Sequence, residues 1–171
     1  MDNRNISAPF DLKKTPKFDR KTDQKHLSKS FYNLAKEYYD ASWTLLVSNS
    51  SLMSVILTNI SFSCELFLKS ILYYYEIDFK NTHGLEKLFK MLPPDISEII
   101  SKTIPIENRE TEFPLALKEQ DEAFVSYRYM CEAKMLTGKP IFLFNFATTL
   151  MYVYELITQN SDVDQHQNTA E

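Results

Sequence analysis

Glycine is almost missing from this sequence. Its 171 residues include 2, Gly84 and Gly138, where average usage of about 7% would give roughly a dozen. Glycines so placed can form neither G-x-G-x-x-G nor G-x-x-x-x-G-K-[ST], which excludes the glycine-rich nucleotide folds. The same scarcity argues against a β-rich protein, whose turns use glycine heavily. Cysteine is also sparse: Cys64 and Cys131 lie far apart, each inside an apolar helical stretch. With no C-x-x-C and no ligand-spaced Cys/His set, no metal centre and no cofactor are expected, and the thiols read as buried and reduced. A basic surplus is absent too, since 19 Lys and Arg face 23 Asp and Glu for a net charge of -4. Residues 1–25 hold seven of the basic and four of the acidic groups, leaving 12 and 19 for the rest. Duplex DNA is therefore not an expected partner, because phosphate neutralisation supplies most of that affinity. The first residues (MDNRNISAPFDLKK) contain no apolar run of the secretory kind, so a cytoplasmic location is expected.

What is abundant is apolar residues at helical spacing. Leu27, Phe31, Leu34, Tyr38, Ala41 and Leu45 recur every three or four residues and predict a helix over 27–48. From Leu52 to Tyr75 runs the most apolar segment, long enough to span a bilayer. Asn59, Ser61, Ser63, Glu65 and Lys69 interrupt it, which favours a buried central helix over a membrane contact. Its core stripe is predicted to be Ile56, Ile60, Cys64, Phe67 and Ile71. Thr82 is placed to cap a short helix through Leu85, Leu88, Phe89 and Leu92, with Glu86 in its first turn. Pro93-Pro94-Asp95 ends that helix and opens another through Ile96, Ile99 and Ile100. Residues 103–115, with two prolines and three acidic groups, read as a loop. A helix over about 117–136 is expected next, with Gly138 just beyond its end. Pro140 opens the last helix, through Ile157, and the tail from Gln159 is polar. The resulting expectation is an all-α bundle of four long helices plus short ones. Its parts are a polar arm at 1–25, the bundle at 26–158 and a polar tail at 159–171.

Three elements carry the residues with chemistry. They are Glu65-Leu66-Phe67-Leu68-Lys69, then Thr82-His83-Gly84-Leu85, then Arg128-Tyr129-Met130-Cys131-Glu132 preceded by Phe124. An "E-x-x-L-K" helix, a "T-H-x-L" helix start and an "F-x-x-x-R-Y-x-x-E" helix, in that order, resemble the small prokaryotic HEPN-domain proteins. The resemblance spans roughly residues 31–157. It implies an up-and-down helical bundle, a homodimer, and a link to RNA in toxin–antitoxin or phage-defence systems, where some members cleave RNA and others do not. The family's catalytic signature is an arginine followed four to six residues later by a histidine. Arg128 has no histidine downstream until His166, Arg109 has none at that spacing, and Arg20 with His26 lies in the N-terminal arm. No catalytic residue is therefore assigned.

Glu65, Lys69, His83, Arg128 and Glu132 form the candidate polar cluster. Charges on apolar helices must find partners, so Arg128 is expected to pair with Glu65, braced by Glu132, with Lys69 and His83 nearby. Three readings stand for this cluster: a structural network between helices, a pocket for a nucleotide or an RNA phosphate, or a catalytic site. The functional expectation is a HEPN-like module without catalysis that binds RNA, a nucleotide or a protein partner from the same operon. The alternative is a metal-independent endoribonuclease with a departed active site.

Overall fold

The structure is a computed structural model and describes residues 24–120 and 139–167, apart from the side chains of Ser50 and of 160–167. The chain there is all-α, with no strand among the described residues. α1 (Gln24–Ser48) ends at a single 3-10 turn (Ser50–Leu52), and α2 (Met53–Tyr74) follows. Then come α3 (Leu85–Lys90), α4 (Pro94–Thr103), α5 (Arg109–Gln120) and α6 (Pro140–Gln167). The break between α1 and α2 is made by Asn49, whose Oδ1 accepts the Ser51 amide at 3.1 Å. This is the local bond that lets Asn stop one helix and start another.

α2 is the axis of the fold. Of its 22 residues 14 are buried, and Ile56, Ile60, Cys64, Phe67 and Ile71 form the expected stripe. Both α2 and the stretch Pro140–Gln159 are long and apolar enough to cross a membrane by length and composition alone. In α2 that apolarity is accounted for by burial within the bundle.

α1 meets α2 along small residues rather than large ones. The spacing in the sequence points to Leu27, Phe31, Leu34, Tyr38, Ala41 and Leu45 as the inner face. Instead Ser28, Ala35 and Ser42 are the buried positions, while Leu34 and Ala41 face outward. These three recur every seven residues, as in a coiled-coil seam. They are met from α2 by Ser63 and Ser70: Ser63 Oγ donates to the Ala35 carbonyl and Ser28 Oγ to the Ser70 carbonyl, both at 2.8 Å. Small side chains let the two backbones approach closely enough for hydroxyls to reach carbonyls across the seam. The larger residues, Phe31, Tyr32, Tyr38 and Tyr39, pack on its two flanks.

α6 runs parallel to α2 and antiparallel to α1. The Cys64 thiol donates to the Leu143 carbonyl at 3.4 Å and the Tyr74 hydroxyl to the Ile157 carbonyl at 3.0 Å, which sets that direction. Burial pushes the Cys64 thiol far above its ordinary range, so it is an inert core residue. Tyr154 stacks on Tyr32 at 4.3 Å and its hydroxyl meets Ser28 Oγ at 3.1 Å, which with the Ser28–Ser70 bond ties α1, α2 and α6 at one level. At the other end Phe89, Phe113, Phe142 and Phe146 interlock, holding α3 and α5 against α6.

Several local expectations are corrected. Thr82 does not cap α3: its amide is taken by the Phe79 carbonyl at 3.1 Å, and Gly84 occupies the N-cap. The stretch 103–115 is not all loop, because α5 begins at Arg109. Its acidic residues Glu110 and Glu112 sit in the first turn, where the helix dipole favours them. Pro114 lies inside this helix and removes one donor, but the carbonyl it would have met belongs to solvent-exposed Glu110. α6 continues to Gln167, beyond the expected end at Ile157. The expected long helix at 117–136 coincides with α5 only up to Gln120, and the rest lies outside the described residues.

The seam makes a direct prediction. Ala35→Leu should overpack the α1–α2 contact and cost about 1–3 kcal/mol, whereas Leu34→Ala, one residue earlier, should change stability by less than about 0.5 kcal/mol. Denaturant midpoints in the reverse order would put Leu34, not Ala35, against the core.

Candidate functional site

The site begins with helix spacing. Glu65, Lys69 and Tyr73 follow one another at intervals of four along α2, so they occupy one stripe of its surface. Glu65 is 1% exposed and Lys69 7%, an unusual depth for two charges. They pair with each other, the Lys69 ammonium donating to Glu65 Oε1 at 2.7 Å. The ammonium also lies 5.3 Å from the centre of the Phe79 ring, whose electron-rich face favours a desolvated cation.

Bringing Phe79 and His83 there requires the chain to double back at the end of α2. Glu76 does this with a left-handed backbone, φ 57. Its amide bonds the Tyr73 carbonyl at 3.1 Å and the next, Ile77, bonds that of Leu72 at 2.9 Å. This pair of bonds is the Schellman ending, normally built on glycine; the near-absence of glycine leaves a glutamate to carry the strain. From Tyr74 the chain must return about 14 Å to reach the level of Glu65, nine helical residues back. The segment 77–83 covers that distance, with a turn in which Asp78 Oδ1 accepts the Lys80 amide at 3.0 Å.

His83 closes the arrangement. Its Nδ1 lies 2.9 Å from the same Glu65 Oε1 that holds Lys69. A carboxylate oxygen only accepts, so Nδ1 carries the hydrogen in this pairing and Nε2 is left to meet a ligand. The imidazole itself is 62% exposed, so it joins a buried anion to the outside. The second carboxylate oxygen, Oε2, is buried with no hydrogen-bond partner among the described residues.

Lys69 and His83 line one wall of a cavity of about 390 Å³. Gln24 and Leu27 from α1, Tyr73 from α2, and Ile77, Phe79 and Lys80 from the return segment close it. Tyr73 is packed edge-on to Phe79 at 4.9 Å, with Phe31 on its other side at 5.1 Å. The cavity thus offers ammonium and imidazole groups beside two aromatic rings set edge-on to each other. No group of three or more His, Cys, Asp or Glu among the described residues is placed to hold a metal.

Of the five candidate residues, the structure brings Glu65, Lys69 and His83 together. Arg128 and Glu132 lie outside the described residues. Sequence reasoning missed Phe79 and Lys80. The available signal was a large aromatic in an otherwise polar turn, Asp78-Phe79-Lys80-Asn81, ten residues after the buried lysine. No protein-family model, curated protein or solved structure matches this chain.

The unequal burial of the three residues predicts unequal costs. Removing one partner of a buried pair strands the other, so Glu65→Ala and Lys69→Ala should each cost about 3–5 kcal/mol. His83→Ala, at the exposed end, should cost no more than about 1 kcal/mol. Equally small losses at all three, read from thermal or denaturant unfolding, would mean the pair is solvated.

Proposed function

We propose that this chain is a HEPN-like helical module that binds RNA or a nucleotide without cleaving it, through the cavity bounded by Lys69 and His83. The observation that carries this reading is the single buried carboxylate beneath both groups. Glu65 fixes one ammonium and one imidazole at the wall of the same cavity, where a phosphate oxygen meets the charge-assisted ammonium donor beside Nε2 of the ring. Tyr73 and Phe79 supply a stacking surface of the kind on which bases rest. The motifs at Glu65–Lys69 and Thr82–Leu85 that carry the family resemblance are the ones that meet in this site. Under this reading the module is cytoplasmic and homodimeric, and acts with a protein partner from its own operon in stress, toxin–antitoxin or phage defence. Large apolar side chains left outward on α1 and α6, including Trp43, Val47 and Ile141, support a partner-covered surface.

A second reading, metal-independent endoribonuclease, is favoured by one feature. With Nδ1 held by Glu65, Nε2 of His83 is oriented as a proton acceptor would be, near a lysine able to offset developing negative charge. One experiment separates the two. Labelled RNA incubated with the protein in chelator should be retained intact. Lys80→Glu, an exposed change at the cavity rim, should weaken that retention roughly tenfold at low salt. Appearance of 2′,3′-cyclic phosphate ends would select the nuclease reading, and no retention of RNA or nucleotide would remove both.

A further inference from the structure

We infer that this cavity captures its phosphodiester ligand together with a proton, which is taken up from solvent onto Nε2 of His83. This rests on the reading that the cavity binds RNA or a nucleotide. It adds the charge state in which it does so.

The argument is one of charge around His83. From α2, Glu65 faces the imidazole and is offset by Lys69 at 2.7 Å. From the return segment, Lys80 is offset by Asp78 at 4.0 Å. α1 contributes only the neutral Gln24 and Leu27 to the cavity, and no residue of α3 lines it. With a neutral imidazole these groups, among the described residues, therefore carry no net charge, although individual cations are present. A phosphodiester entering this wall brings one negative charge beside a largely buried carboxylate. The uncompensated charge is removed if the ring becomes imidazolium, because Glu65 already accepts from Nδ1 and the new Nε2–H donates to the phosphate. The imidazole is the group on this wall that can take up a proton at Nε2 without giving up its bond to Glu65. The proton comes from buffer, no covalent bond changes, and its release accompanies ligand release.

The sign follows. Because ligand and proton are taken up together, binding weakens as pH rises, by up to about tenfold per pH unit for a one-proton linkage. Calorimetric titration of the full chain with the dinucleotide UpU tests this, since its diester charge does not titrate there. Runs near pH 7.5 in buffers of different ionisation enthalpy should give an apparent enthalpy whose slope reports close to one proton taken up. His83→Gln keeps a donor for Glu65 but cannot change charge, and its exposed position spares the core. In that variant the uptake and the pH dependence should vanish. Binding by the unaltered protein without proton uptake, or uptake that persists in the variant, would overturn the inference and leave the binding reading intact. Absence of UpU binding from about pH 5.5 to 8 would remove both.

Discussion

A carboxylate at the centre of an apolar helix bundle must be matched by hydrogen-bond donors, and among the described residues Glu65 is met from two directions because the chain folds back on itself. Lys69 comes automatically, one turn further along α2. His83 does not: it arrives only because Glu76 accepts a left-handed backbone and the segment after it runs back along the helix. One buried charge thus fixes the path of the return segment, the start of α3 and the cavity between them. Such a pair is weak evidence for stability, since apolar residues in its place could serve the core as well. Its retention at the wall of a cavity is better understood through the groups it presents outward.

The bundle itself is held by different means. α1 and α2 are joined by a seam of serines and one alanine, in which hydroxyls bond to carbonyls of the facing helix. That seam frees the aromatic residues of α1 to pack sideways, and Tyr32 reaches Tyr154 of α6 while Phe31 reaches Tyr73 beside the cavity. The aromatic wall of the site is in this sense a consequence of small residues at the helix contact. Burial and the neighbouring Glu155 carboxylate raise the Tyr32 hydroxyl far above its ordinary range, so it stays a neutral donor at any physiological pH.

Helical class, the central position of α2 and its core stripe were legible because period-3.6 patterning over a long apolar segment has few alternatives. The inner face of α1 was not, because serine and alanine carry no hydrophobic signal; burial there depends on the serines of α2, distant in sequence. The ending of α2 was obscured for a related reason: glutamate stands where glycine usually marks the turn. In α5, Pro114 and the acidic residues resembled a loop, yet the acidic residues are placed at a helix start. For the site, charges within an apolar helix singled out Glu65 and Lys69, and the helix start after them His83, and these three meet in the structure. Phe79 and the cavity wall follow from the reversal of the chain, which no spacing reveals.

The central claim is that the Glu65 carboxylate accepts from His83 Nδ1 and so dictates which ring nitrogen is left for a ligand. Imidazole nitrogen-15 shifts of His83, recorded at a pH where the ring is neutral, test this most directly. The account predicts the Nδ1–H form, reverting to the commoner Nε2–H form in Glu65→Gln. A neutral His83 already in the Nε2–H form, indifferent to that substitution, would contradict it.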